Sequence, residues 1–412
     1  MGEPQKHIIP WEAIPEKKFR LADFFNAHWD SYVQSPKKPI KPEHFKAVNA
    51  LRVCRTPVLG VDIYACPECG EIKEVSHSCK HRFCPTCSWK ETVNWAEKVK
   101  YRMLNIAHRH VVCTLPHSLI PLIKQNSRIL LGALQRSAAA TFSDWIGNKH
   151  RLKIGVVSVS HTFGELKTYH PHVHMIVSWG GIHKKTEELI QLKEDEFVNY
   201  KFLKKKFRCK FEDELVALFD KELLLNDFRD RTDFVQFIQS INKKSWIIHL
   251  EEPISHPGKV IRYIGRYSKR ACISEYKITK MEGENIAFRY KDYKDRDADQ
   301  KPVEKEVELH YRDFFPRLLQ HVPEPYSRTV RYYGLYSNKG NCPDEYLYQE
   351  QCEETTIHEL DDEKHCEFCN REMEYIHTSF QVRFWINKKT GSKKTICHIV
   401  IRKELMKKRS AA

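Results

Sequence analysis

Apolar and polar positions alternate most regularly between residues 154 and 181. "IGVVSVSHTFG" and "HPHVHMIVSWGG" both read as strands, and only "ELKTY" and its flanks separate them, so an antiparallel hairpin is expected. "HVVCTLP", from His110, reads as a buried strand stopped by proline, and "SWIIHLEEP" as another strand. Helical spacing dominates elsewhere. "FRLADFFNAHWDSYV" is helical and is broken by "SPKKPIKP"; "SWKETVNWAEKVKYRMLNIA" has helical character; "NSRILLGALQRSAAATFSDWIG" carries apolar residues at helical spacing behind an Asn-Ser start. A long helical region is expected over about 188–228, and a helix over "GKVIRYIGRYSKR" after Pro257 and Gly258.

The order strand, helix, hairpin, helix, strand, helix is that of a small antiparallel α+β sandwich. Three parts are expected: residues 1–98, helical and then cysteine-rich; residues 99–340, the α+β unit; and residues 341–412, acidic and then basic and β-like. No internal repeat or low-complexity tract stands out.

Charge narrows the partners. The 412 residues carry 69 Lys+Arg against 54 Asp+Glu, a formal net charge of +15, with a pI near 9.1. Such a chain most often meets a polyanion, nucleic acid first and an acidic membrane surface second. No run of 18 apolar residues spans a membrane, and the N-terminus lacks a signal-peptide core, so a cytoplasmic location is expected. In a reducing compartment the 14 cysteines point to metal before disulfide.

Two C-x2-C units, "CPECG" and "CPTC", form tight knuckles. Cys66, Cys69, Cys84 and Cys87 are therefore expected to hold one structural Zn²⁺ tetrahedrally, with Cys79 and His81 as substitutes. Cys366 and Cys369 form a further pair without an obvious partner; Cys342, Cys352 and His365 are candidates for a second zinc site.

In "YHPHVHMIVSW" the alternation puts Val173, Met175, Val177 and Trp179 on the core side and His172 and His174 on the other. His170 lies at the mouth of the strand. Two imidazoles on a rigid strand make half of an open divalent-metal site suited to Mn²⁺ or Mg²⁺. His161 joins the same face if it lies opposite His172. In "VIRYIGRYSKR", Tyr263 and Tyr267 share a helix face, and Arg262, Arg266 and Arg270 form a parallel stripe. Phenols beside guanidiniums suit a nuclease with a tyrosine nucleophile; taken alone, however, a tyrosine pair at helical spacing reads as a core helix. "RYYGLY" is a decoy, since Tyr332 and Tyr333 would point apart on a β-like segment.

Taken in order, "CRTPVLGVDIYACPECG", "SCKHRFCPTC", "HVVCTLPHSL", "HTFGELKTYHPHVHMIVSWGGI", "FRCKFEDEL", "VIRYIGRYSKRACIS" and "DFFPRLLQHVPEPYSRTVRYYGLYSN" resemble the rolling-circle, two-tyrosine HUH transposases of bacterial insertion sequences. The resemblance covers about residues 50–340. It implies an HUH-endonuclease core with a central antiparallel sheet, preceded by a zinc-binding domain. It implies Tyr263 or Tyr267 as the nucleophile that forms a 5′-phosphotyrosine, Mg²⁺ or Mn²⁺ at the histidines, and single-stranded or melted element ends as the DNA partner. A plasmid-type replication initiator or relaxase would use the same chemistry, and a decayed zinc-containing DNA-binding protein would keep only the fold. Cys113, where phenylalanine is more usual, and Trp179 depart from the family pattern.

Overall fold

A computed structural model describes residues 19–255, 271–349, 365–384 and 395–402. Tyr263, Tyr267, Arg262, Arg266, Arg270 and Cys352 lie outside the described residues, as does the helix expected after Pro257.

A five-stranded sheet organises the chain. Its order is Val330–Gly334, Gly155–Phe163, Tyr169–Ser178, His108–Thr114, Ile247–Leu250, and every neighbouring pair is antiparallel. The histidine strand Tyr169–Ser178 is therefore central. Its pairing with Gly155–Phe163 sets Val156 opposite Val177 and His161 opposite His172. Residues directly opposite in an antiparallel pair share a face, so this register divides the sheet cleanly.

On one face Val111, Cys113, Val156, Val173, Met175 and Val177 are buried. Ser127–Lys149 packs against them, with Tyr200–Asp220 lying on that helix. Ala133, Ala138 and Ala139 let the first helix approach closely. Gln135, fully buried among them, donates from Nε2 to the carbonyls of Ser158 and Thr329 and so ties the helix to the sheet, while its Oε1 has no hydrogen-bond partner among the described residues. The second helix buries Leu203, Phe207, Phe211 and Leu215, one residue per turn.

On the other face, Val157, Val159 and Ile176 pack with Trp95, Leu104 and Tyr336 at one end. His161, His172 and His174 occupy the other end. Tyr332 and Tyr333 do point apart: Tyr332 packs on this second face and Tyr333 on the first.

The region expected to be helical over 188–228 is only partly so. Leu189–Gln191 forms a strand on Gly180–His183, and the helix begins at Tyr200, where the Asn199 side chain accepts from the Phe202 N–H. Beyond Asp220 the chain turns back, and Asn126 Oδ1 accepts from the Leu225 N–H at 2.7 Å.

The N-terminal helices Leu21–Gln34 and Pro42–Arg52 share a core with Tyr311–Leu319 and the hairpin strands before it. Phe25 stacks on Phe315 with ring centroids 4.2 Å apart. The buried carboxylate of Glu275 accepts from the Leu21 N–H and from Thr86 Oγ1, tying the first helix to the distal region. Among the described residues no helix is long and apolar enough to cross a membrane.

Candidate metal centres and the nucleic-acid face

The three histidines meet because strand register makes them meet. His161 and His172 are cross-strand partners, and His174 is two residues along the same face. One nitrogen of each lies within 4.8 Å of the others. His172 Nδ1 donates to the His170 carbonyl at 2.8 Å, leaving the Nε2 lone pair free of that proton. His172 Nε2 and His174 Nε2 then face each other at 3.1 Å. Two nitrogens each about 2.1 Å from one cation, at right angles, are separated by about 3 Å. Burial pushes His172 down to about 4 and His174 well below its ordinary value. Both rings are thus neutral and able to ligate at neutral pH.

A line of partners backs His174. Its Nδ1 is 2.9 Å from His110 Nε2, and His110 Nδ1 is 3.3 Å from the Glu251 carboxylate. A cation at His174 Nε2 requires the proton on Nδ1, which donates to His110 Nε2. That in turn leaves His110 Nδ1–H facing the carboxylate. The sequence reading overlooked His110 and Glu251. The available signal was "HRH", His108 and His110, the same alternation on the neighbouring strand. His108 serves packing instead: fully buried, it donates from Nδ1 to the Ile106 carbonyl and accepts at Nε2 from Tyr336.

Beside His161 a cleft opens, lined among others by Arg82, Arg128, Arg328, Thr162 and Cys272. Arg82 donates to Thr329 Oγ1. Burial lowers Arg82 to about 10, which still leaves it cationic at neutral pH. The cleft also includes Ala271, the first described residue after the tyrosine segment, whose N–H donates to Ser88 Oγ at 2.9 Å. On the other side of that segment, Ile254 bridges to His108.

The cysteines group differently from the expectation. Cys66 and Cys69 do not meet Cys84 and Cys87. Cys54, Cys79, Cys84 and Cys87 form one cluster, and Cys66, Cys69, Cys366 and Cys369 form another. The reason is geometric. Cys66 and Cys69 sit at the tip of the hairpin Val61–Ala65/Ile72–Ser76, while Cys54 and Cys79 flank its open end. A five-residue strand, about 17 Å long, separates the two ends. Cys79, named only as a substitute, belongs to the first cluster, and Cys54 was missed. Cys342 packs instead near Trp95 and Tyr336, and His365 is in neither cluster.

Sulfur separations in the first cluster are 3.4 Å (Cys54–Cys87), 3.5 Å (Cys79–Cys87) and 3.6 Å (Cys54–Cys84). These are far beyond a disulfide bond of about 2.05 Å. They are near the edge, about 3.8 Å, of a thiolate tetrahedron with metal–sulfur bonds of about 2.3 Å. The Cys79 thiol holds Cys54 down at about 7, toward the thiolate that ligates.

Comparison with known proteins places the chain in a class. Residues 155–343 match the family described as "Putative transposase", and residues 24–115 match the "Transposase zinc-binding domain". The chain therefore combines a transposase unit with a zinc-binding module. It is 30% identical over 327 residues to "Putative transposase y4qJ" of Sinorhizobium fredii, covering 77% of this chain and 80% of that protein. It is 28% identical over 305 residues to "Transposase for insertion sequence element IS801" of Pseudomonas savastanoi pv. phaseolicola, covering 71% of this chain and 70% of that protein. The chain belongs to this family of insertion-sequence transposases. No solved structure matches.

Proposed function

We propose that the protein is a metal-dependent single-strand DNA endonuclease and strand transferase that moves its element by rolling-circle transposition. The observation that carries this reading is the trio His161, His172 and His174 on the central strands, with two neutral imidazoles turned toward one point. These residues would hold Mg²⁺ or Mn²⁺, which supplies Lewis-acid polarisation of a phosphate oxygen. Family membership and the +15 charge support a DNA substrate.

Tyr263 and Tyr267 are the nucleophiles in this reading. The phenol loses its proton, the tyrosine oxygen bonds to phosphorus, and the P–O3′ bond breaks. The result is a 5′-phosphotyrosine, with the departing 3′-oxygen taking up a proton. The arrangement is reversible: a 3′-hydroxyl attacking the same phosphorus releases the tyrosine and joins the strands. A second tyrosine allows a second strand to be handled before the first is released. Arg262, Arg266 and Arg270 steady phosphate charge near the tyrosines, and Arg128 and Arg328 guide the strand along the cleft beside His161. The cluster Cys54, Cys79, Cys84 and Cys87 would hold structural zinc within the zinc-binding module.

The test is covalent capture. Wild-type protein with MnCl₂ and a labelled single-stranded oligonucleotide bearing the element end should form an adduct at the new 5′ end. His172→Ala with His174→Ala, and Tyr263→Phe with Tyr267→Phe, should each abolish it while zinc content stays unchanged. Failure of the wild-type protein to form an adduct with every divalent cation tried would overturn the reading.

A further inference from the structure

We infer that Cys66, Cys69, Cys366 and Cys369 form a second structural zinc site that staples the C-terminal segment onto the N-terminal zinc-binding module. The matched family regions end at residues 115 and 343, so the second half of this site lies outside both.

The two halves are copies of one local device. In each, the first cysteine N–H donates to the carbonyl five residues on: Cys66 to Glu71 at 2.8 Å and Cys366 to Arg371 at 2.9 Å. In each, the residue after the second cysteine donates back to the first cysteine carbonyl, Gly70 at 3.0 Å and Asn370 at 2.9 Å. Both closing residues adopt positive φ, +74° at Gly70 and 55° at Asn370. Glycine and asparagine tolerate that conformation best. Such a turn points both sulfurs of a C-x2-C unit the same way, and here the two turns point at each other. Cys66 Sγ lies 3.4 Å from Cys369 Sγ, Cys69 Sγ 3.5 Å from Cys366 Sγ, and Cys69 Sγ 3.9 Å from Cys369 Sγ. These distances bracket the tetrahedral edge of about 3.8 Å expected for zinc–thiolate bonds of about 2.3 Å.

The surroundings fit a docked partner. Glu374–Phe384 pairs antiparallel with Val61–Ala65, setting Tyr64 opposite Tyr375. Thr378 Oγ1 donates to the Asp62 carboxylate, which also meets His77 Nε2 at 2.8 Å. Lys73 meets Glu367 at 3.2 Å, and Arg371 meets Glu68 at 3.5 Å. Cys66, Cys366 and Met373 share a buried cluster with Tyr64 packed against it. That cluster is small, which is where a metal contributes most to holding two segments together.

The full-length protein decides the matter. Native mass spectrometry should find two zinc ions per chain. Cys69 and Cys369 are exposed, so without metal they would react freely with iodoacetamide; with zinc they should resist until a chelator is added. Cys366→Ser with Cys369→Ser should reduce zinc from two to one. The same variant should lose hydrogen-exchange protection in residues 374–384 while residues 155–163 keep theirs. One zinc per wild-type chain, free alkylation of Cys69 and Cys369, or two zinc ions in the double variant would each overturn the proposal. None of these readouts depends on DNA cleavage, so this proposal can fail while the catalytic one stands, and the reverse.

Discussion

Glu251, His110 and His174 form a line that ends at the proposed cation. Each member fixes the proton position of the next, and an imidazole held in the ligating tautomer is a better ligand than one free to rotate. His110→Ala should therefore weaken Mn²⁺ binding about 10- to 100-fold. It should also cost about 1–3 kcal/mol of stability, because His174 Nδ1 is left buried without that partner. Glu251→Gln should weaken binding less, since the amide still offers an acceptor oxygen. Calorimetric titration of MnCl₂ into each variant measures the first effect, and thermal melting without metal measures the second. Affinity unchanged in His110→Ala would mean that strand geometry alone orients His174.

At the scale of elements, the hairpin behind this site depends on close backbone approach at its edge. Gly155 opens its strand opposite Gly334, and a Cβ there would stand 2.4 Å from the Tyr336 ring. The ring cannot retreat cheaply: it is buried, and its hydroxyl engages both His108 and the Leu104 N–H. Gly155→Ala should destabilise the protein by about 1–3 kcal/mol. The thermal midpoint should fall by about 2–4 °C for each of those. A midpoint within 1 °C or so of wild type would mean that the strand edge yields more easily than its contacts indicate. The hairpin itself was legible in the sequence, because a period of two over both strands allows one register to bury the valines and align the histidines. The cysteine grouping was not. A C-x2-C spacing tells which two thiols share a turn, but not which turns meet. That depends on the length of the Val61–Ala65 hairpin and on a knuckle about 300 positions later. Cys54, alone after its helix, carried no spacing signal at all. The start of Tyr200–Asp220 was blurred because 188–199 has helical composition, and Asn199 was the overlooked cap.

At the scale of the whole molecule, the net charge of +15 is a long-range attraction for any polyanion, and the arginine cleft turns it into a local one. The sequence announced the charge but not the cleft, because Arg82, Arg128 and Arg328 come from separate parts of the chain and only the sheet brings them beside His161. The two contributions separate by salt. For single-stranded DNA, log K should fall linearly with log salt, with a slope of about −0.7 per phosphate neutralised. Fluorescence anisotropy with a labelled oligonucleotide between about 50 and 200 mM salt gives that slope for the wild type. Arg128→Ala with Arg328→Ala removes two contacts if both guanidiniums hold the backbone. The slope should then become shallower by about 1.4, with affinity reduced alike for every sequence tested. Affinity and slope both unchanged would assign the DNA path to another face. A loss confined to one sequence would make the cleft a reader of bases rather than a guide for the strand.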